Sequence, residues 1–259
     1  MLFIFFVGFI IFIFGSSIGS FIAASVYRIR KKETLMGRSY CPKCGYKLGF
    51  FDLFPFFSFI FLKGKCKKCK SGIDWSNFLI EIFLGLLFVF VFFHRWIMAP
   101  DAETFSLVVI RDWIMIGGLS FLFIYDLKYK LLPDIVSIPL IVVLFVFNAL
   151  IGVDIINLLL AIGIGAGFFL VQYIISRGKW VGDGDIRLGA VLGAGLGFPQ
   201  IILALLVAYI LGAFYGLVLL LLKKANMKSE IAFGTFLSIG GIISLFWGYR
   251  IITWYLNLL

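Results

Sequence analysis

The sequence predicts an all-α polytopic membrane protein, about eight transmembrane helices with one loop module outside the bilayer, and three observations predict it. Hydrophobic residues make up 63% of the chain and charged residues only 14%, whereas roughly a quarter of a soluble domain is charged. Apolar runs approaching the ~20 residues that cross a bilayer core fill almost the whole chain, at about 3–26, 78–98, 105–125, 135–151, 155–176, 186–199, 200–222 and 231–258. The basic residues then alternate between connections as the positive-inside rule requires. With the N-terminus outside, 20 of the 23 Lys and Arg fall on the cytoplasmic side, and only Arg95, Arg111 and Arg250 fall outside.

The first run has no basic residue ahead of it, Arg28 being the first charge in the chain. It lacks the charged start of a signal peptide and is expected to remain as a membrane span. Three segments follow: residues 1–26 as the first transmembrane helix, 27–77 as a cytoplasmic basic module holding all four cysteines, and 78–259 as a transmembrane helical core. The expected location is the cytoplasmic (inner) membrane, multi-pass, with both termini outside.

The module at 27–77 carries twelve basic and three acidic residues. Anionic lipid attracts juxtamembrane Lys and Arg at about 1 kcal/mol each, which accounts for the patch with lipid as partner and no nucleic acid. Its cysteines form two C-x-x-C pairs, Cys41/Cys44 in "CPKCG" and Cys66/Cys69 in "GKCKKCKSG", separated by 21 residues. Two such knuckles supply the four thiolates of a closed, tetrahedral, structural zinc site. Disulfides are the rival reading, and the reducing cytoplasmic side weighs against them. Between the pairs, the apolar stretch 49–62, broken by Asp52 and Pro55, is expected to lie on the inner interface.

Glycines recur every fourth residue in the fifth and sixth runs, at Gly163/Gly167 and Gly189/Gly193/Gly197. In membranes this spacing makes grooves in which helix backbones approach closely. Carboxylates in or beside spans are expensive and mark candidate sites. Two places stand out, "YDLKYKLLPD" with Asp126 and Asp134, and "GDGD" with Asp183 and Asp185, both at the same membrane face. Asp185 precedes Gly189 by one turn, which turns its carboxylate toward the close-packing face.

Two carboxylates within a few ångströms share a proton and titrate as a pair. One can take a proton from water while the other polarises a peptide carbonyl; the chemistry is peptide hydrolysis. Read structurally instead, Asp134 caps a helix after Pro133, Asp183 serves a turn, and Lys or Arg neighbours neutralise the rest. The single histidine, His94, lies at the outer end of the second run, the one G-x-S-x-G stretch (15–19) lies inside the first apolar run, and no H-E-x-x-H stretch is present, so serine-histidine and zinc-protease schemes have little support.

The order of these motifs resembles the type IV prepilin peptidases, membrane aspartic proteases of the G-x-G-D type. The resemblance runs through "GSFIAASVYRIR" (19–30), the two cysteine pairs, "IYDLKYKLLPD" (124–134) and "GDGDIRLGAVLGAGLG" (182–197). It implies Asp126 and Asp185 as the catalytic pair, supported by Asp134, Asp183, Gly182 and Gly184. It also implies cleavage of type IV prepilin or pseudopilin leaders at the cytoplasmic face, then methylation of the new N-terminus with S-adenosylmethionine. Glu81, in "FLIEIF", matches a family glutamate and is the candidate for that cofactor. The variable residue of G-x-G-D is acidic here, Asp183, where the family usually has an uncharged one. The alternative of another class is a proton- or ion-coupled transporter that uses the intramembrane aspartates as a relay.

Overall fold

The computed structural model describes residues 2–35, 37–49, 61–98, 102–224, 226 and 231–258. The interfacial expectation for 49–62 falls mostly on 50–60, outside the described residues. The described residues form two compact units, 1–100 and 101–259.

In the first unit, α1 (Leu2–Arg30) packs along α2 (Trp75–Met98). The contact follows the small residues. A Cβ on Gly15 would meet Leu84 O at 2.9 Å, one on Gly19 would meet Glu81 Cα at 2.9 Å, and one on Gly85 would meet Phe12 at 2.7 Å. Ile11, Gly15, Gly19, Ile22 and Val26 are the buried stripe of α1, the three-to-four spacing of one helix face. At the end of α1, buried Arg28 turns back on the chain. It donates to the carbonyls of Leu35 (2.8 Å), Arg38 (3.0 Å) and Gly37 (3.1 Å), fixing the route from the helix into the cysteine module.

The second unit contains six helices: α3 (Ala102–Tyr129), α4 (Asp134–Ile151), α5 (Ile155–Ser176), α6 (Asp183–Leu196), α7 (Gln200–Leu221) and α8 (Phe233–Leu256). Among the described residues, seven of these eight helices are long and apolar enough to cross a membrane. The exception is α6, whose 14 residues reach about 21 Å, short of the ~30 Å hydrocarbon core. The sixth run is a helix, as expected, but one too short to span alone.

What α6 lacks in length it recovers by burial. It sits among α4, α5, α7 and α8, and from Leu188 to Gly195 every residue is buried. Backbone meets backbone along α5: a Cβ on Gly165 would lie 2.2 Å from Gly189 O, and one on Gly193 would lie 2.4 Å from Ala161 O. The groove on α5 is therefore built on Ala161 and Gly165. Gly163 and Gly167, the expected pair, have nothing within 4 Å of an added Cβ, because they lie on the other side of the helix.

The far end of α6 stops inside the bundle, where its last carbonyls need donors. Asn148 of α4 donates to Ala194 O (2.6 Å) and Gly195 O (3.1 Å). Arg111 of α3 donates to Asn148 Oδ1 (2.8 Å) and Gly195 O (3.1 Å), and pairs with fully buried Asp112 at 2.7 Å. The turn into α7 is tied by Asn157, whose side chain accepts from Phe198 N–H and donates to its carbonyl.

Candidate active site

Antiparallel packing of successive helices brings the ends of α3, α5 and α7 and the starts of α4, α6 and α8 to one end of the second unit. There they enclose a cleft of about 1130 Å³, lined among others by Asp126, Lys130, Leu132, Asp134, Asp183, Asp185, Arg187, Tyr209 and Phe233. All four aspartates singled out in the sequence line it, and they divide into two kinds. Asp126 and Asp185 are buried, at 5% and 8% exposure. Asp134 and Asp183 have side chains 57% and 72% exposed.

Asp126 sits in the last turn of α3, which ends where Lys130 takes a left-handed conformation (φ 52°) and donates its N–H to Asp126 O at 2.7 Å. Its carboxylate faces the start of α8, and Oδ2 accepts the Thr235 N–H at 3.0 Å. That N–H belongs to the first turn of a helix and has no intrahelical carbonyl to bond. Gly234 makes the approach possible, since a Cβ there would lie 2.9 Å from the same oxygen.

Asp185 is the third residue of α6. Its Oδ2 accepts from the N–H of Gly182, the residue preceding the helix, at 3.3 Å; a carboxylate at this position reaching back to the cap is half of a capping box. Gly182 takes no part through a side chain; its extended backbone (φ −77°, ψ 158°) starts the helix. Gly184 answers a packing need, because a Cβ there would lie 2.8 Å from Leu132 Cβ. Leu132 also comes within 3.3 Å of a Cβ on Gly234. One side chain thus wedges between the helix start that carries Asp185 and the helix start that holds Asp126.

The exposed acids share a cation. Arg187 of α6 pairs with Asp183, one turn earlier on the same helix, and with Asp134, the first residue of α4. The unusual acidic residue of G-x-G-D therefore has its own counter-ion. Opposite the acids, Tyr209 of α7 donates to Gln172 Oε1 of α5 at 2.9 Å, and its ring packs on Phe233 and Phe169.

Arg187, Leu132, Tyr209 and Gln172 were not singled out by the sequence, and Thr235 stood out only as a residue where many members of the resembled family have proline, a difference expected hardly to touch the chemistry; its N–H, which proline lacks, bonds Asp126. The spacing of Asp183 and Arg187, four residues apart, was the one available signal. The others meet the site across helices distant in sequence. Buried Asp112 was missed too, and it belongs to the Arg111 network at the far end of α6.

In the first unit the four cysteines converge, their Sγ atoms all within 4.8 Å of one another. Cys41–Cys69 is 3.8 Å and Cys44–Cys66 is 3.9 Å, against the ~3.8 Å edge of a tetrahedron with metal–sulfur bonds of about 2.3 Å. The two knuckles repeat one another. Cys41 N–H donates to Tyr46 O and Cys66 N–H to Ser71 O, at 2.9 and 2.8 Å. The fourth residue after each first cysteine, Gly45 and Lys70, is left-handed. The Ser71 hydroxyl, 3.1 Å from Cys69 Sγ, and the Ser71 backbone hold the Cys69 thiol down at about 6, toward the thiolate that a metal binds. The donor set fits a tetrahedral metal ion.

Glu81 is half-buried on α2. The room that Gly19 leaves beside it is filled by the α2 backbone. That is a helix-packing contact.

Comparison with known proteins gives two family matches, the Bacterial Peptidase A24 N-terminal domain over residues 13–95 and the Type IV leader peptidase family over residues 113–217. Relatives described as prepilin leader peptidase/N-methyltransferase include a protein of Aeromonas salmonicida (strain A449), 32% identical over 86% of this chain and 76% of its own length. One of Legionella pneumophila is 30% identical over 88% and 78%. One of Bacillus subtilis (strain 168) is 30% identical over 96% and 98%. No solved structure matches the chain.

Proposed function

Because the chain belongs to the type IV leader peptidase family, we propose that it removes the leader of a type IV prepilin or pseudopilin and then methylates the new N-terminus. The observation that carries the peptidase reading is the pair of buried carboxylates, Asp126 and Asp185, facing one cleft from two helices, with Leu132 wedged between Gly184 of α6 and Gly234 of α8. One carboxylate takes a proton from water as the water oxygen attacks the scissile carbonyl carbon. The other, protonated, gives its proton to the carbonyl oxygen; as the resulting gem-diol collapses, that carboxylate takes back a hydroxyl proton and the first carboxyl gives the nitrogen the proton it took from water, so the C–N bond breaks to an amine and a carboxylic acid. Asp134 and Asp183 support the pair through Arg187, and Gly182 and Gly184 shape the turn that presents Asp185. The transporter alternative has no support from the family.

Methylation follows from what the relatives are described as doing. S-adenosylmethionine would supply the methyl group, and Glu81 remains the residue proposed for it from the sequence. The four cysteines we assign to structural zinc, held by Cys41, Cys44, Cys66 and Cys69. Seven helices long and apolar enough to cross a membrane make a multi-pass membrane protein. The bias of Lys and Arg supports a cytoplasmic-membrane location with both termini outside and the acid cleft on the cytoplasmic side.

The test is mass analysis of a prepilin incubated with the purified full chain, with and without S-adenosylmethionine. A leader-sized loss scores the peptidase and a further methyl scores the transferase. Asp126→Ala and Asp185→Ala are each expected to lower cleavage by about 10³-fold. Robust cleavage by either variant would sink the assignment of the pair.

A further inference from the structure

The start of α6 has to be held at a fixed distance from Asp126, and the structure names what holds it. Deep in the bundle α6 is fixed by backbone contact with α5 and by Asn148 and Arg111. Its first turn, which bears Asp185, is held against a short segment immediately following Asp126. Leu132 meets Gly184 there, and two residues later Asp134 pairs with Arg187. Asp134, the acid that follows Pro133, is thus joined to the residue two beyond G-x-G-D by one ion pair.

We propose that Arg187 is the positioning residue of the acid pair, a clasp that joins the α6 turn carrying Asp185 to the chain segment carrying Asp126. The proposal rests on the reading of Asp126 and Asp185 as the catalytic pair. Arg187 lies two residues from Asp185, on the side of the helix shared with Asp183, and it acts through the ion pair with Asp134. Its side chain is 24% exposed, and its guanidinium takes the charge of both rim carboxylates, one from its own helix and one from α4. The planar fork suits two carboxylates at once, which an ammonium serves less well.

Exposed ion pairs contribute little to stability, so loss of the clasp should hardly unfold the protein. Reacting groups tolerate misplacement poorly, and a shift of about 1 Å can cost 10²-fold in rate. The clasp should therefore be read in kcat.

The experiment is steady-state cleavage of a prepilin by the full chain in detergent, beside its thermal unfolding. Arg187→Met is expected to lower kcat by about tenfold or more, leave KM within about threefold, and barely change the unfolding midpoint. Arg187→Lys should recover part of the loss. Asp134→Asn combined with Arg187→Met should be no worse than Arg187→Met alone, because both remove the same contact. Exchange of the charges, Arg187→Asp with Asp134→Arg, should exceed either single variant.

Wild-type kcat in Arg187→Met overturns the proposal, and so do additive losses in the double variant. A rise in KM at constant kcat also overturns it, since Arg187 would then be binding substrate. If Arg187→Met lowers the unfolding midpoint, the charge exchange decides, and failure of the exchange to exceed both single variants counts against the clasp. Asp126→Asn and Asp185→Asn are measured alongside. Cleavage by these two removes the catalytic reading itself, whereas their inactivity together with a normal Arg187→Met removes only the clasp.

Discussion

Gly234 leaves room for one carboxylate oxygen and nothing more. A methyl group there would stand 2.9 Å from Asp126 Oδ2 and 3.2 Å from its Cγ, so the carboxylate would have to swing away from the Thr235 N–H. Gly234→Ala should lower kcat for prepilin cleavage by about tenfold while helix content, read by circular dichroism, stays at the wild-type level. At this scale the sequence was legible where chemistry is rare. A carboxylate beside a membrane span is conspicuous, and Asp126, Asp134, Asp183 and Asp185 all line the cleft. It was illegible where the partner is a peptide group or a distant helix. Thr235 meets Asp126 across 109 residues of chain, and nothing in the composition around position 235 announces it.

Helices raise a different question, that of which face is turned inward. The four-residue glycine spacing marked both α5 and α6 as helices of close backbone approach without naming their partners, and on α5 the stripe it marked is not the one in contact. Small residues crowd α5 at 161, 163, 165, 166 and 167, so spacing alone fits more than one face. The contact is settled by the register of α6, whose Gly189 and Gly193 meet Gly165 and Ala161. Gly193→Leu should drive the helices apart, abolish cleavage and lower the unfolding midpoint by several degrees, as overpacking by 1–3 kcal/mol or more would. Gly163→Leu, with open space at its Cβ, should leave that midpoint nearly unchanged. Asn148→Leu takes donors from the Ala194 and Gly195 carbonyls, and about 1–3 kcal/mol of stability should go with them, seen as a lower unfolding midpoint in detergent.

Over the whole molecule, hydropathy and charge were the most readable features. All eight apolar runs are helices, with ends within a few residues of the expected ones. The sixth run, 186–199, was already short in the sequence and its split from the next run at Phe198-Pro199 the least marked; the helix has the same 14 residues but starts and ends three earlier, because an uninterrupted apolar run does not show where a helix stops. The paired cysteines were legible for the opposite reason: four thiols at two fixed spacings admit few arrangements, and the structure brings them together. The purified chain should carry one zinc per molecule by elemental analysis. Each single change, Cys41→Ser, Cys44→Ser, Cys66→Ser or Cys69→Ser, should reduce that content to a small fraction, because a structural site needs all four ligands.

The bonds that hold the two buried carboxylates come from main-chain N–H groups, that of Gly182 on Asp185 and that of Thr235 on Asp126. These donors are fixed before substrate arrives, like the dipoles that preorganise other active sites. They also have no side chain to remove. An alanine scan of the cleft can find the carboxylates and Arg187, but it passes over the groups that aim them, since every alanine it installs puts the same N–H back.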